Sequence, residues 1–153
     1  MPRAGLDRNK IVQIAIQIAN EQGLENVTIA ILAKKLGVKP PSLYNHFRNL
    51  TEIYTAIARE GIQKLEETLL RSVVGKSGED AILIFSKQYL AFATENPGLY
   101  EATIQPMKVD DNIVETTSKN MIDLLVQLLT TFHLEKQSAL HVVRGLRSIV
   151  HGF

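Results

Sequence analysis

The stretch that decides the fold is "TIAILAKKLGVKPPSLYNHFRNL", Thr28 to Leu50. Thr28 is placed to cap a short helix in which Ile29, Leu32, Ala33 and Leu36 are apolar. Gly37-Val38 then breaks it, and Lys39-Pro40-Pro41 follows. Proline is tolerated in a helix only in the first turn, where its missing N–H has no partner to lose. Each proline also pushes the residue before it away from helical angles. The double proline therefore predicts an abrupt helix start at about Pro41, running to Phe47.

At 100° per residue, Leu43 and Phe47 share one face of this second helix, and Asn45 lies opposite them. Pro41 and Ser42 also point away from the apolar face, while Tyr44 and His46 flank it. Two readings are open: half-exposed side chains packed beside a core, or a helix built to present them. The neighbourhood favours presentation. Helix, short turn with glycine, helix is the helix-turn-helix pattern, and small Ala33 lets the two helices approach closely. In that motif the second helix enters the DNA major groove with its N-terminal residues toward base edges. Flanking residues meet phosphates, which position the protein, and outward ones read sequence.

Working outward, Asp7 to Gln22 carries Ile11, Ile14, Ala15, Ile18 and Ala19 on one helical face, stopped by Gly23. Leu50-Thr51-Glu52 opens a long helix with Ile53, Ile57, Leu65 and Leu69, which dissolves at Gly75-Lys76-Ser77-Gly78. Beyond that break, Glu79 to Thr94 reads as a helix, ended by Asn96-Pro97-Gly98. A short segment from Leu99 to Ile104 precedes Pro106. A helix is predicted from Asp110 to His133, and a last one from Leu134-Glu135 onward. No run alternates with period 2 long enough to make a strand, so the class is all-α. The organisation predicted is a helix-turn-helix domain over 1–50 with its motif at 28–47, a linking helix over about 51–73, and a C-terminal helical domain over 79–153.

Composition narrows the function classes. The 153 residues are 45% hydrophobic and 22% charged, with no cysteine, which excludes disulfides and thiolate metal sites. No signal-peptide pattern and no apolar run of about 18 residues occurs, so a cytoplasmic location and no membrane insertion are expected. Net charge is +1 overall, but residues 1–50 hold seven basic side chains against three acidic ones, leaving an acidic remainder. A basic end on an acidic body fits a polyanion partner. No nucleophile–base–acid arrangement, metal-ligand spacing or phosphate-cradling glycine loop is found, so neither an enzyme nor a bound cofactor or metal is expected.

"TIAILAKKLGVKPPSLYNHFRNLTEIY", preceded by "DRNKIVQIAIQIANEQGLENV", resembles the N-terminal DNA-binding domain of TetR-family transcriptional regulators over about residues 7–60. The resemblance implies a homodimeric, ligand-responsive repressor that binds a palindromic operator in double-stranded DNA. It places Lys39, Pro41, Ser42 and Asn45 near bases, and Thr28, Tyr44 and His46 on phosphate. Thr28 would do so from a helix N-terminus suited to anions. The family commonly has a phosphate-touching lysine where this chain has Leu50; Arg48 or Thr51 is the available substitute. That departure keeps a second expectation open, a helical adaptor whose helix-turn-helix no longer binds DNA.

The same resemblance assigns dimerisation and a small-molecule effector pocket to the C-terminal half. Phe85, Tyr89, Phe92, Tyr100 and Met107 fit either a pocket lining or ordinary bundle core. His141, Arg144, Ser148 and His151, spaced 3, 4 and 3, form a polar stripe that fits effector binding or hydrogen-bonded packing. His141 and His151 lie about 15 Å apart along a helix, too far to share a metal. The closing His-Gly-Phe resembles a TetR subfamily with an "HG" motif. Family members usually continue for two further helices, so an incomplete dimer interface is expected for residues 1–153.

Overall fold

The computed structural model describes residues 5–105, 111–133 and 135–151. Eight α-helices and no strand occur among the described residues: α1 Arg8–Gln22, α2 Ile29–Leu36, α3 Pro40–Tyr44, α4 Leu50–Val73, α5 Gly78–Glu95, α6 Pro97–Ile104, α7 Asn112–Leu129 and α8 Lys136–His151. The all-α class read from the sequence is the class of the protein.

The chain forms two compact units that do not follow the order of the sequence. One comprises residues 1–62 together with 95–111, and the other comprises 63–94 together with 112–153. In the first, α1 packs against α2 and α6, and α2 packs against α3. Its core is Ile11, Ala15, Ile18, Leu24, Val27, Leu32, Leu43, Phe47, Ile53, Ile57 and Leu99, all buried. α6, which sequence order places well beyond the helix-turn-helix, is thus part of its body. In the second unit α7 packs against α8, and Leu65, Leu69, Ala81, Phe85, Phe92, Leu125, Leu129, Ala139 and Val143 are buried.

Local chemistry sets the ends of these helices. Asp7 caps α1 by accepting the Lys10 backbone N–H at 2.7 Å, and Thr28 caps α2 by accepting that of Ile31 at 3.3 Å. Gly37 closes α2 in the left-handed conformation, φ 68° and ψ 30°. There its N–H donates to the Lys34 carbonyl at 3.2 Å, and that of Val38 donates to the Ala33 carbonyl at 3.0 Å. This pair of bonds is a Schellman motif, and it turns the chain sharply enough to bring α3 against α2.

Several boundaries differ from the periodicity, and α3 ends at Tyr44 where the pattern ran to Phe47. α3 begins at Pro40, not Pro41, because none of the first four N–H groups of a helix has an intrahelical partner, so both prolines fit its first turn. Lys39 takes the extended conformation (φ −83°, ψ 149°) that a following proline imposes. α7 starts at Asn112 and gives way after Leu129 to a 3-10 turn, Thr130–Phe132, that ends at His133 in left-handed backbone. α8 starts at Lys136, just past the Leu134-Glu135 at which its apolar pattern begins.

Candidate nucleic-acid interface

α3 is five residues long, too short to hold a helical shape without tertiary support. Leu43 is fully buried and Phe47 nearly so, which anchors α3 by the face the helical wheel selects. The turn continues past Tyr44, because Asn45 is helical (φ −69°, ψ −21°) and the Phe47 N–H donates to the Leu43 carbonyl at 3.0 Å. The opposite side is open. Lys39, Pro41, Tyr44, Asn45 and Arg48 are exposed, Tyr44 to 53%. Ser42, His46 and Thr28 are half-buried. The exposed polar groups are two cations, an amide and a phenol; Ser42 adds a hydroxyl beside them. Hydroxyls, amides and cations are the side chains that bond phosphates and base edges.

A second set of residues fixes this face, and the sequence reading missed it. Asn49 caps α4, accepting the Glu52 N–H at 2.9 Å, while the Glu52 carboxylate accepts the Arg48 N–H at 2.7 Å. Asn-x-x-Glu at positions 49–52 is close to a capping box, and that spacing was the available signal. The Arg48 N–H first, and then Arg8, hold the Glu52 carboxyl below its ordinary value. Arg8, at the first position of α1, ion-pairs with Glu52 at 3.1 Å and donates to the His46 carbonyl at 2.7 Å. Tyr54 donates its hydroxyl to the Val27 carbonyl at 3.0 Å, bracing the segment that carries the Thr28 cap; no sequence pattern signals this. Burial raises its phenol above the ordinary value. On α2, Lys35 pairs with Glu21 of α1 at 3.1 Å, while Lys34 is exposed. Leu50 is the first residue of α4 and half-buried.

The residues read as an effector pocket are distributed between the two units. Phe85 and Phe92 are buried on α5 and Tyr89 is half-buried there, its ring stacked on Phe85 with centroids 6.5 Å apart. Tyr100 is buried on α6, in the unit that carries the helix-turn-helix. His141, Arg144 and Ser148 are exposed on α8, and the Ser148 hydroxyl donates to the Arg144 carbonyl at 3.0 Å. Met107 lies outside the described residues, as does the side chain of His151. Among the described residues no cluster of three or more His, Asp or Glu could hold a metal ion, and no helix is long and apolar enough to cross a membrane.

A glycine-turned helix pair, its second member anchored by two apolar residues and open on its polar side, defines a helix-turn-helix DNA-binding protein. Comparison with known proteins gives the family. Residues 11–57 match the bacterial regulatory proteins, tetR family, and residues 82–153 match the tetracyclin repressor-like C-terminal domain. An HTH-type transcriptional regulator of Bacillus subtilis, YobS, is 40% identical over 153 residues, covering 99% of this chain and 79% of its own. An HTH-type transcriptional regulator of Mycobacterium tuberculosis is 30% identical over 151 residues, covering 98% of this chain and 69% of its own. The fold is also that of a solved protein of unknown function from Rhodococcus sp. RHA1 (TM-score 0.79, 19% identity, 99% of this chain and 83% of that one). The chain belongs to the TetR family of transcriptional regulators: it is a DNA-binding regulator and not an enzyme.

Proposed function

We propose that this regulator represses transcription by binding a palindromic operator as a homodimer, and that a small-molecule effector held by the C-terminal helices releases it. The observation that carries the reading is the presentation of α3. Leu43 and Phe47 are buried while Lys39, Pro41, Tyr44 and Asn45 are exposed along one open side. In this reading Lys39, Pro41, Ser42 and Asn45 face bases. Thr28, Tyr44 and His46 contact phosphate, and Arg48 takes the place of the lysine that Leu50 lacks. Two-fold symmetric dimers pair with two-fold symmetric sites, hence the palindrome.

Response to an effector is supported by where α6 lies. It follows α5 directly in the chain, and α5 carries the buried Phe85 and Phe92. α6 itself is docked on α1 of the DNA-binding unit, with the Leu99 N–H donating to Asn20 Oδ1 at 3.0 Å. A ligand that moves α5 thereby pulls on the helix that braces α1. Residues 1–50 act as the reading head, the helix over about 51–73 as the link, and residues 79–153 as the effector and dimerisation region.

The test is fluorescence anisotropy against the palindromic DNA flanking the protein's own gene. Salt-sensitive binding is expected. Tyr44→Ala should weaken it across all sequences, whereas Asn45→Ala should change preference at particular base positions. Failure of the wild-type chain to bind any palindrome at low salt would rule the reading out.

A further inference from the structure

We infer that Arg8 and Glu52, neither of which lies on the reading helix, are the residues that set its orientation, and that sequence discrimination depends on their contact. The inference rests on α3 being the element that reads DNA.

A five-residue helix such as α3 keeps its direction only through its ends and its buried face. Its N-terminal end is fixed by two prolines and the Gly37 turn. Its C-terminal end runs into Asn45-His46-Phe47, where the chain must leave the helix and enter α4. Three groups at this exit are held by one guanidinium. Arg8 donates one nitrogen to the His46 carbonyl at 2.7 Å and another to Glu52 Oε1 at 3.1 Å, and its carbon lies 4.1 Å from the centre of the Phe47 ring. Glu52 closes the circuit by accepting the Arg48 N–H on its second oxygen at 2.7 Å. The exit of α3, the start of α4 and the start of α1 therefore share one charge-assisted network.

The placement of Arg8 favours this role. As the first residue of α1, it puts a cation at the positive end of a helix dipole, a position that disfavours basic side chains. Nothing in α1 itself gains from an arginine there. Its contacts instead match the planar fork of a guanidinium, which can serve a carbonyl and a carboxylate at once and still stack on a ring. Both side chains remain partly exposed, 52% for Arg8 and 33% for Glu52, so a direct phosphate contact by Arg8 is the competing role. The two roles differ in what they predict.

The experiment uses the full chain and two labelled duplexes: one enriched by the wild-type protein from a random library, and a scrambled duplex of the same composition. Glu52→Gln keeps the side chain's length and an oxygen for the Arg48 N–H but removes the ion pair. Charge alone predicts tighter DNA binding when a carboxylate near phosphates is removed. Positioning predicts the opposite sign: about 5- to 10-fold weaker binding to the enriched duplex, as expected when the competent orientation falls to a minor fraction. Binding to the scrambled duplex should change little. Arg8→Met keeps an apolar stem over Phe47 and should behave like Glu52→Gln with no change in salt dependence. Loss of a phosphate contact would instead lower the log–log salt slope by about 0.9. Arg8→Lys should fail to restore discrimination, because an ammonium cannot hold the fork. Circular dichroism at the assay temperature confirms that each variant is folded.

Equal or tighter binding of Glu52→Gln to the enriched duplex overturns the inference, and so does a reduced salt slope in Arg8→Met or full rescue by Arg8→Lys. If Tyr44→Ala and Asn45→Ala still weaken or redirect binding in that case, the reading role of α3 stands and only the positioning role has failed. If those two variants are also without effect, the reading of α3 has failed with it.

Discussion

Gly98 is the residue whose replacement tests the packing of α6 on α1 most directly. A Cβ added there would lie 2.1 Å from the Ala19 carbonyl carbon, 2.2 Å from its oxygen and 2.6 Å from its Cβ. Ordinary contact starts at 3.4 Å, so relief by translation requires the two helices to part by about 1.3 Å. Two of the three clashing atoms are backbone, so no rotamer change can absorb the shift. Parting the helices takes the Leu99 N–H out of bonding range of Asn20 and opens space beside buried Leu99 and Ala102. Overpacking of this kind costs about 1–3 kcal/mol and the stranded N–H about 1 more, so Gly98→Ala should lose about 2–4 kcal/mol. Helix propensity acts the other way, since alanine gains up to about 1 kcal/mol over glycine in an unhindered helix. Gly145 in α8, where an added Cβ meets nothing within 4 Å, supplies the control. Urea denaturation should show a lower midpoint for Gly98→Ala and an equal or higher one for Gly145→Ala. A Gly98→Ala variant as stable as the wild type would refute the close approach of α6 to α1.

Gly37→Ala should cost about 1–2 kcal/mol by a different route, because a side chain in left-handed backbone is strained even where, as here, the added Cβ has open space. The same denaturation assay measures it, and an unchanged midpoint would mean that the turn does not need this conformation. The acid limb of stability tests the Glu52 network. Its carboxyl is held below the ordinary value of 4.5 by the Arg48 N–H and then Arg8, so the folded state binds fewer protons than the unfolded one. The stabilisation is complete above the ordinary value and is lost as pH falls through the lowered one. The gap in melting temperature between wild type and Glu52→Gln should therefore narrow on acidification, and a constant gap would contradict the assignment.

Much of the fold is legible in the sequence because its signals are local. The apolar period of α1, the Thr28 cap, the left-handed glycine at 37 and the proline pair at 40–41 each act within a turn or two of the chain. They suffice to give α1 and α2 their ends and faces, and α3 the face that buries Leu43 and Phe47. The errors of boundary were local as well. Pro40 joined α3 because the first helical turn tolerates two missing donors, a detail that the rule about residues preceding proline obscures.

Contacts made across long separations in the chain were not legible. No periodicity says that Gly98 meets Ala19, or that Glu101 accepts the Leu24 N–H across 77 residues, at 3.4 Å. The grouping of residues 95–111 with the N-terminal unit is therefore invisible to a reading that divides the chain in sequence order. Arg8 read as one more base at a basic end; only the fold turns its guanidinium onto His46, Phe47 and Glu52 at once. Sequence by itself determined the all-α class, the helix-turn-helix and the buried face of α3, since hydrogen-bond capping, proline geometry and apolar spacing are properties of neighbouring residues. Tertiary structure alone decided what holds α3 in place and what α6 leans on. Those outcomes depend on side chains from distant segments meeting in three dimensions, where close packing and shared hydrogen bonds select the partners.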